Sequence, residues 1–224
     1  MSTGRLLHMC AAMALACSFS TTVSAQSSSS SKHTKASPTT GIAAVDDGAV
    51  SNGFYRNKVL GLACKIPAGW VLRTDEMNAA DDENAGQKTS SQGPERGAGG
   101  QRVLLAAFSR PPDARGEDIN SSILIAAEPV SIYPGLKEAA QYFGPLTEVA
   151  KAQGFSVDEE PYEYAVGAKK LVRADFHKDV GTRVMRQSSL AFLSHGQAVS
   201  ITIIGGTEDE VEELIDGISF ASKP

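Results

Sequence analysis

Cysteine is nearly lacking from this 224-residue chain: there are three, and two of them, Cys10 and Cys17, fall within the first 25 residues. The one that remains, Cys64, cannot form an internal disulfide, and no Cys and His cluster exists downstream to hold zinc. Basic clusters are lacking as well, the longest run being Lys169-Lys170. With 20 basic residues against 26 acidic ones after residue 25, the charge is about −6, which argues against a phosphate-backbone binder. No stretch beyond residue 25 is apolar enough to cross a bilayer. There is no Gly-x-Ser-x-Gly elbow for a hydrolase nucleophile. The glycines of "GAGG" (97–100) precede a strand, whereas a phosphate-binding loop needs them after a strand and before a helix.

What is present begins with an export signal. Arg5 supplies a positive start, Leu6 to Phe19 an apolar run too short to span a membrane, and Val23-Ser24-Ala25 the small residues of a cleavage site. Residues 1–25 are therefore read as a signal peptide, and the protein as exported, to a bacterial periplasm or beyond the cell. Lipid attachment at Cys17 is the alternative route, through "ALAC" (14–17), but Ala14 stands where leucine is usual and Leu15 where a small residue is preferred. Residues 26–52, rich in Ser, Thr, Ala and Gly, offer little apolar surface to offset the entropy of ordering and read as a tether.

From residue 53 to 222 the composition is that of one folded domain. In "LGLACKIPAGW" (60–70), Leu60, Leu62, Cys64 and Ile66 share a strand face by the period of two. Pro67 and Gly69 stop that strand, and Trp70, the only tryptophan, is turned onto the core. Cys64 on the apolar face reads as a buried small hydrophobe. Residues 74–101 hold almost no large apolar side chain and read as a long loop. Residues 102–109 and 121–130, apolar on both faces, read as central strands.

The spacing of Leu136, Ala139, Ala140, Phe143, Leu146 and Ala150 predicts a helix, which Gly144-Pro145 should kink or split and Gly154 should end. A strand meander follows, with a His195-Gly196 turn that pairs Leu193 with Ala198 and Ala191 with Ser200. "TEDEVEELIDGISF" (207–220) predicts a capped amphipathic helix with Val211, Leu214, Ile215 and Ile218 on its stripe.

Ser188, Ser189, His177, His195 and Asp175 suggest no triad, because His195 sits at a hairpin tip and His177 at a strand end. The acidic "DDEN" (81–84) lacks the alternate spacing of a calcium loop. The meander leaves one candidate partner face, small and polar: Gln187, Ser189, Ser200 and Thr202, with Arg173 and Asp175 on the adjoining strand. It either receives a partner or is covered by the 135–153 helix.

The Gly61-Leu62 to Ile66-Pro67 and Gly69-Trp70 segment, with Gly167-Ala168 and the terminal Ile218-Ser219-Phe220, resembles the PsbP-like superfamily over most of residues 53–222. Its relatives include photosystem, Mog-type and DcrB-like envelope proteins. The resemblance implies an α+β fold, an antiparallel sheet sandwiched by helices, and members that bind or stabilise other proteins. It implies no catalytic residue. The expectation is thus a non-catalytic exported protein that binds or supports assembly in the cell envelope, with no cofactor, no metal and no nucleic acid. The alternative is a small-ligand or cation-binding periplasmic module.

Overall fold

The computed structural model describes residues 46–79, 100–111, 114, 116 and 118–221. The signal peptide, most of the tether, Cys17 and the acidic 81–84 stretch lie outside them. The chain enters through β1 (Ala49–Ser51), β2 (Phe54–Asn57) and β3 (Leu62–Lys65), followed by the short β4 (Val71–Leu72) and helical residues 74–79, called α1. Ordered strand structure thus begins inside the segment read as tether, because Ala49–Ser51 finds a pairing partner in Phe54–Arg56. The segment read as a loop from residue 74 likewise opens as a helix.

β5 (Arg102–Phe108) and β6 (Ser122–Pro129) are the expected central strands. After a 3-10 turn at Val130–Ile132 comes α2 (Ala139–Ala152), then β7 (Ser156–Val166), β8 (Lys169–Val180), β9 (Arg183–Ser194) and β10 (Gln197–Gly205). α3 (Glu208–Asp216) and β11 (Ile218–Phe220) complete the fold.

All pairings are antiparallel, in two sheets: β1-β2-β3-β11, and β4-β5-β6-β10-β9-β8-β7. This corrects the expected sheet sandwiched by helices. The fold is mostly β, with eleven strands and three short helices among the described residues. The reason lies at the two ends of the domain. The 49–66 segment builds hairpins of its own, and Ile-Ser-Phe after Gly217 pairs with β3 (Ile218↔Cys64, Phe220↔Leu62) instead of prolonging the helix. A second sheet, with α3 beside it, therefore covers a face that a layer of helix was expected to cover.

That face carries the main core: Leu190, Phe192, Val199, Ile201 and Ile203 of the large sheet pack with Leu62, Cys64, Val211 and Ile215. Trp70 is only partly buried at its margin. Cys64 has no exposure, and burial pushes its thiol up to about 12. The opposite face is covered by α2, whose Tyr142, Phe143 and Ala150 meet Ala174, Phe176, Ala191 and Ala198. α2 runs unbroken through Pro145, so the helix is not split. A left-handed Gly154 follows it at φ +87°, a conformation that an L side chain rarely adopts.

Candidate functional site

The His195-Gly196 hairpin has the expected register, Leu193↔Ala198 and Ala191↔Ser200, so Gln187, Ser189, Ser200 and Thr202 do share one face. That face is the one beneath α2. Gln187, Ser189 and Ser200 are buried, the Gln187 amide donates to Ser189 Oγ at 3.1 Å, and Ser200 hydrogen-bonds Tyr142 of the helix. Small side chains here let α2 approach closely. Arg173 and Asp175 belong to the other side: alternation along β8 separates them from Val172, Ala174 and Phe176, which pack under α2. The six residues taken together from the sequence thus divide between two faces of the sheet.

On the far side, Arg173 and Asp175 stand in a groove of about 540 Å³ between β7–β9 and α3. Arg173 is only 7% exposed. Its Nε donates to both Asp175 oxygens at 3.0 Å, Nη1 donates to Glu212 Oε2 of α3 at 3.2 Å, and Nη2 donates to Glu212 Oε1. Tyr162 on β7 donates its hydroxyl to Asp175 Oδ2 at 3.1 Å, and the guanidinium lies 5.1 Å from the Tyr164 ring centre. Burial opposes the Arg173 charge, but its hydrogen bonds to Glu212 and the field of Asp175 outweigh that and hold the group more firmly protonated than usual. Burial first, and then the Asp175 charge, push the Tyr162 phenol above its ordinary range.

This network fixes α3 to β7 and β8 through charge. Around it, Asp158, Glu159 and Glu208 join Asp175 and Glu212 on the groove wall, against only two guanidiniums, Arg173 and Arg186. The groove is therefore net negative. His177 Nδ1 bonds Asp158 Oδ1 at the groove's margin. His195 is instead at the hairpin tip, beside Ser194 Oγ at 2.9 Å. Neither Ser188 nor Ser189 meets either histidine: Ser189 accepts from Gln187, and the buried Ser188 hydroxyl has no partner among the described residues. No group of three or more acidic, histidine or cysteine side chains there is arranged to hold a metal ion. What the groove offers is fixed charge, the Tyr162 hydroxyl and aromatic edges.

Sequence reasoning missed the α3 half of this site. Glu208 and Glu212 lie in the segment that reads as a capped amphipathic helix. Their spacing of four places both on one helical face, and that was the available signal.

No family model matches the chain, and no curated protein matches it. Solved structures give distant likenesses. PA94, a protein of unknown function from Pseudomonas aeruginosa, is 13% identical with a TM-score of 0.36, over 61% of this chain and 88% of its own. LpqN, involved in cell envelope biogenesis of Mycobacterium tuberculosis, is 12% identical with a TM-score of 0.35, over 72% and 83%. A protein of Bacteroides thetaiotaomicron is 11% identical with a TM-score of 0.33, over 72% of this chain and 46% of its own. None bears the PsbP-like name, and likeness of this degree carries no argument about the groove. No helix among the described residues is long and apolar enough to cross a membrane.

Proposed function

We propose that the protein is an exported, non-catalytic binding module of the bacterial cell envelope, and that the groove between β7–β9 and α3 is its partner surface. The single observation that carries this reading is the composition of the groove: five carboxylates and two arginines line a concavity of about 540 Å³ whose floor is pinned by the Arg173 network. Fixed charges on a rigid floor cost little to organise on binding. An excess of one sign steers an oppositely charged partner and rejects a like-charged one. The export signal supports the envelope location, and the resemblance of Gly61 to Trp70 supports a binding role.

The test is affinity capture from the envelope of the organism that makes the protein, with native mass spectrometry of what is retained. Wild-type chain is compared with a Glu159→Lys/Glu208→Lys variant, both positions being exposed. The expected result is one protein at fixed stoichiometry with wild type and its loss with the variant. Equal capture by both chains would place the partner elsewhere. A stoichiometric small molecule or cation in place of protein would favour a small-ligand module.

A further inference from the structure

A second cavity, of about 210 Å³, lies along the same two walls, with Tyr164 to Gly167 on one side and Ile215, Asp216 and Ile218 on the other. α3 lends Glu208, Val211 and Glu212 to the first cavity and Ile215 and Asp216 to the second. These are positions i, i+3, i+4, i+7 and i+8, a single helical face. The two cavities thus share that face of α3, and residues of β7 line both.

β7 is the last strand of its sheet, bonded to β8 alone, so among the described residues its outer edge has no strand partner. β11 comes near it without pairing. Such an edge is a ready template for another strand unless it is guarded. The first half of β7 is guarded, by Asp158-Glu159-Glu160-Pro161 and two register shifts. The second half, Tyr162–Val166, pairs with β8 in unbroken register.

The charge of the lining selects the occupant. With Asp216 included, six carboxylates line the two cavities against two guanidiniums.

We infer that the occupant is an extended segment of a partner protein carrying lysine or arginine at alternate positions, added as a strand along the outer edge of β7 with its basic side chains toward α3. This rests on the binding role proposed above. The nine residues of α3 span about 13 Å, which matches roughly four residues of extended chain. Backbone bonds to Tyr162–Val166 supply affinity, and the carboxylates of α3 select basic residues at every second position.

The full chain is titrated with an octapeptide alternating lysine and threonine, with one alternating glutamate and threonine, and with spermine, while amide hydrogen exchange is followed along β7. The lysine peptide is expected to bind and to slow exchange within Tyr162–Val166. Its affinity should fall by roughly tenfold or more in high salt, as screening requires, and likewise in Glu159→Lys/Glu208→Lys. The acidic peptide should not bind. Near-UV circular dichroism confirms that the variant is folded. Spermine binding as tightly as the peptide, without protection of β7, would overturn the strand reading, as would equal binding of the acidic peptide or indifference to the charge reversals. Failure of the lysine peptide, alongside groove-dependent capture of a protein from the envelope, would overturn this inference alone and leave the binding role standing.

Discussion

Glu128 on β6 is 7% exposed beneath α2, where Tyr133 and Tyr142 hydrogen-bond its carboxyl. Burial raises its pKa above the ordinary 4.5, and the two phenols only partly offset that. The folded state therefore holds this proton more tightly than the unfolded chain does. Its contribution to stability is greatest below the ordinary value and declines as pH rises from there through the raised one. Glu128→Gln removes the titration, so its thermal midpoint should gain on wild type as pH rises above 4.5, and parallel pH profiles would contradict this. Arg173 also holds its proton more tightly in the fold, but there the proton maintains a charge that Asp175 and Glu212 match. Arg173→Ala leaves Asp175 and Glu212 facing each other and should cost about 2 kcal/mol, less than a fully buried pair because Glu212 is partly solvated. Arg173→Lys should recover little, since one ammonium cannot reproduce the two-sided fork. Trp70, partly buried against the core, should cost roughly 2 kcal/mol when changed to Ala, near half the penalty of a fully buried ring. Chemical denaturation measures both.

At the scale of elements, α3 shows what a short helix depends on. Thr207 Oγ1 accepts from the Glu210 amide at 3.1 Å, and Glu210 reaches back to the Gly206 amide at 2.8 Å. Thr207→Ala should therefore cost about 1 kcal/mol and loosen the groove's helical wall, seen as faster amide exchange in Glu208–Val211. This cap was legible in the sequence, because Thr-x-x-Glu is a local pattern with a local cause. So were the His195-Gly196 hairpin and the buried face of Leu60, Leu62, Cys64 and Ile66, all set by neighbours a few residues away. The fate of Ile218 was not. Its place on the helical stripe is a true periodicity, but a pairing with Cys64, about 150 residues earlier in the chain, decides its structure. The same limit hid the partition of Arg173 and Asp175 from Gln187 and Ser189. Alternation tells which residues of one strand share a face, but not which faces of two strands coincide.

For the molecule as a whole, two antiparallel sheets and α3 enclose one core, while α2 closes the other side of the large sheet. The small polar face read from the sequence became the seat of α2, and the charged groove formed on the opposite side, where β7–β9 meet α3. Fold and proposed function separate here: hydrophobic pairing sets the layers, and the binding role proposed above rests on the charges left at their margin. The central claim is that this margin is where a partner sits. The most direct measurement is photo-crosslinking in the living source cell, with a photoreactive residue placed in turn at Glu208 in the groove and at Val50 and Leu72, exposed positions that do not line it. A discrete protein adduct at Glu208 and none at Val50 or Leu72 is the predicted result. Adducts confined to Val50 or Leu72, or equal at all three positions, would contradict the account.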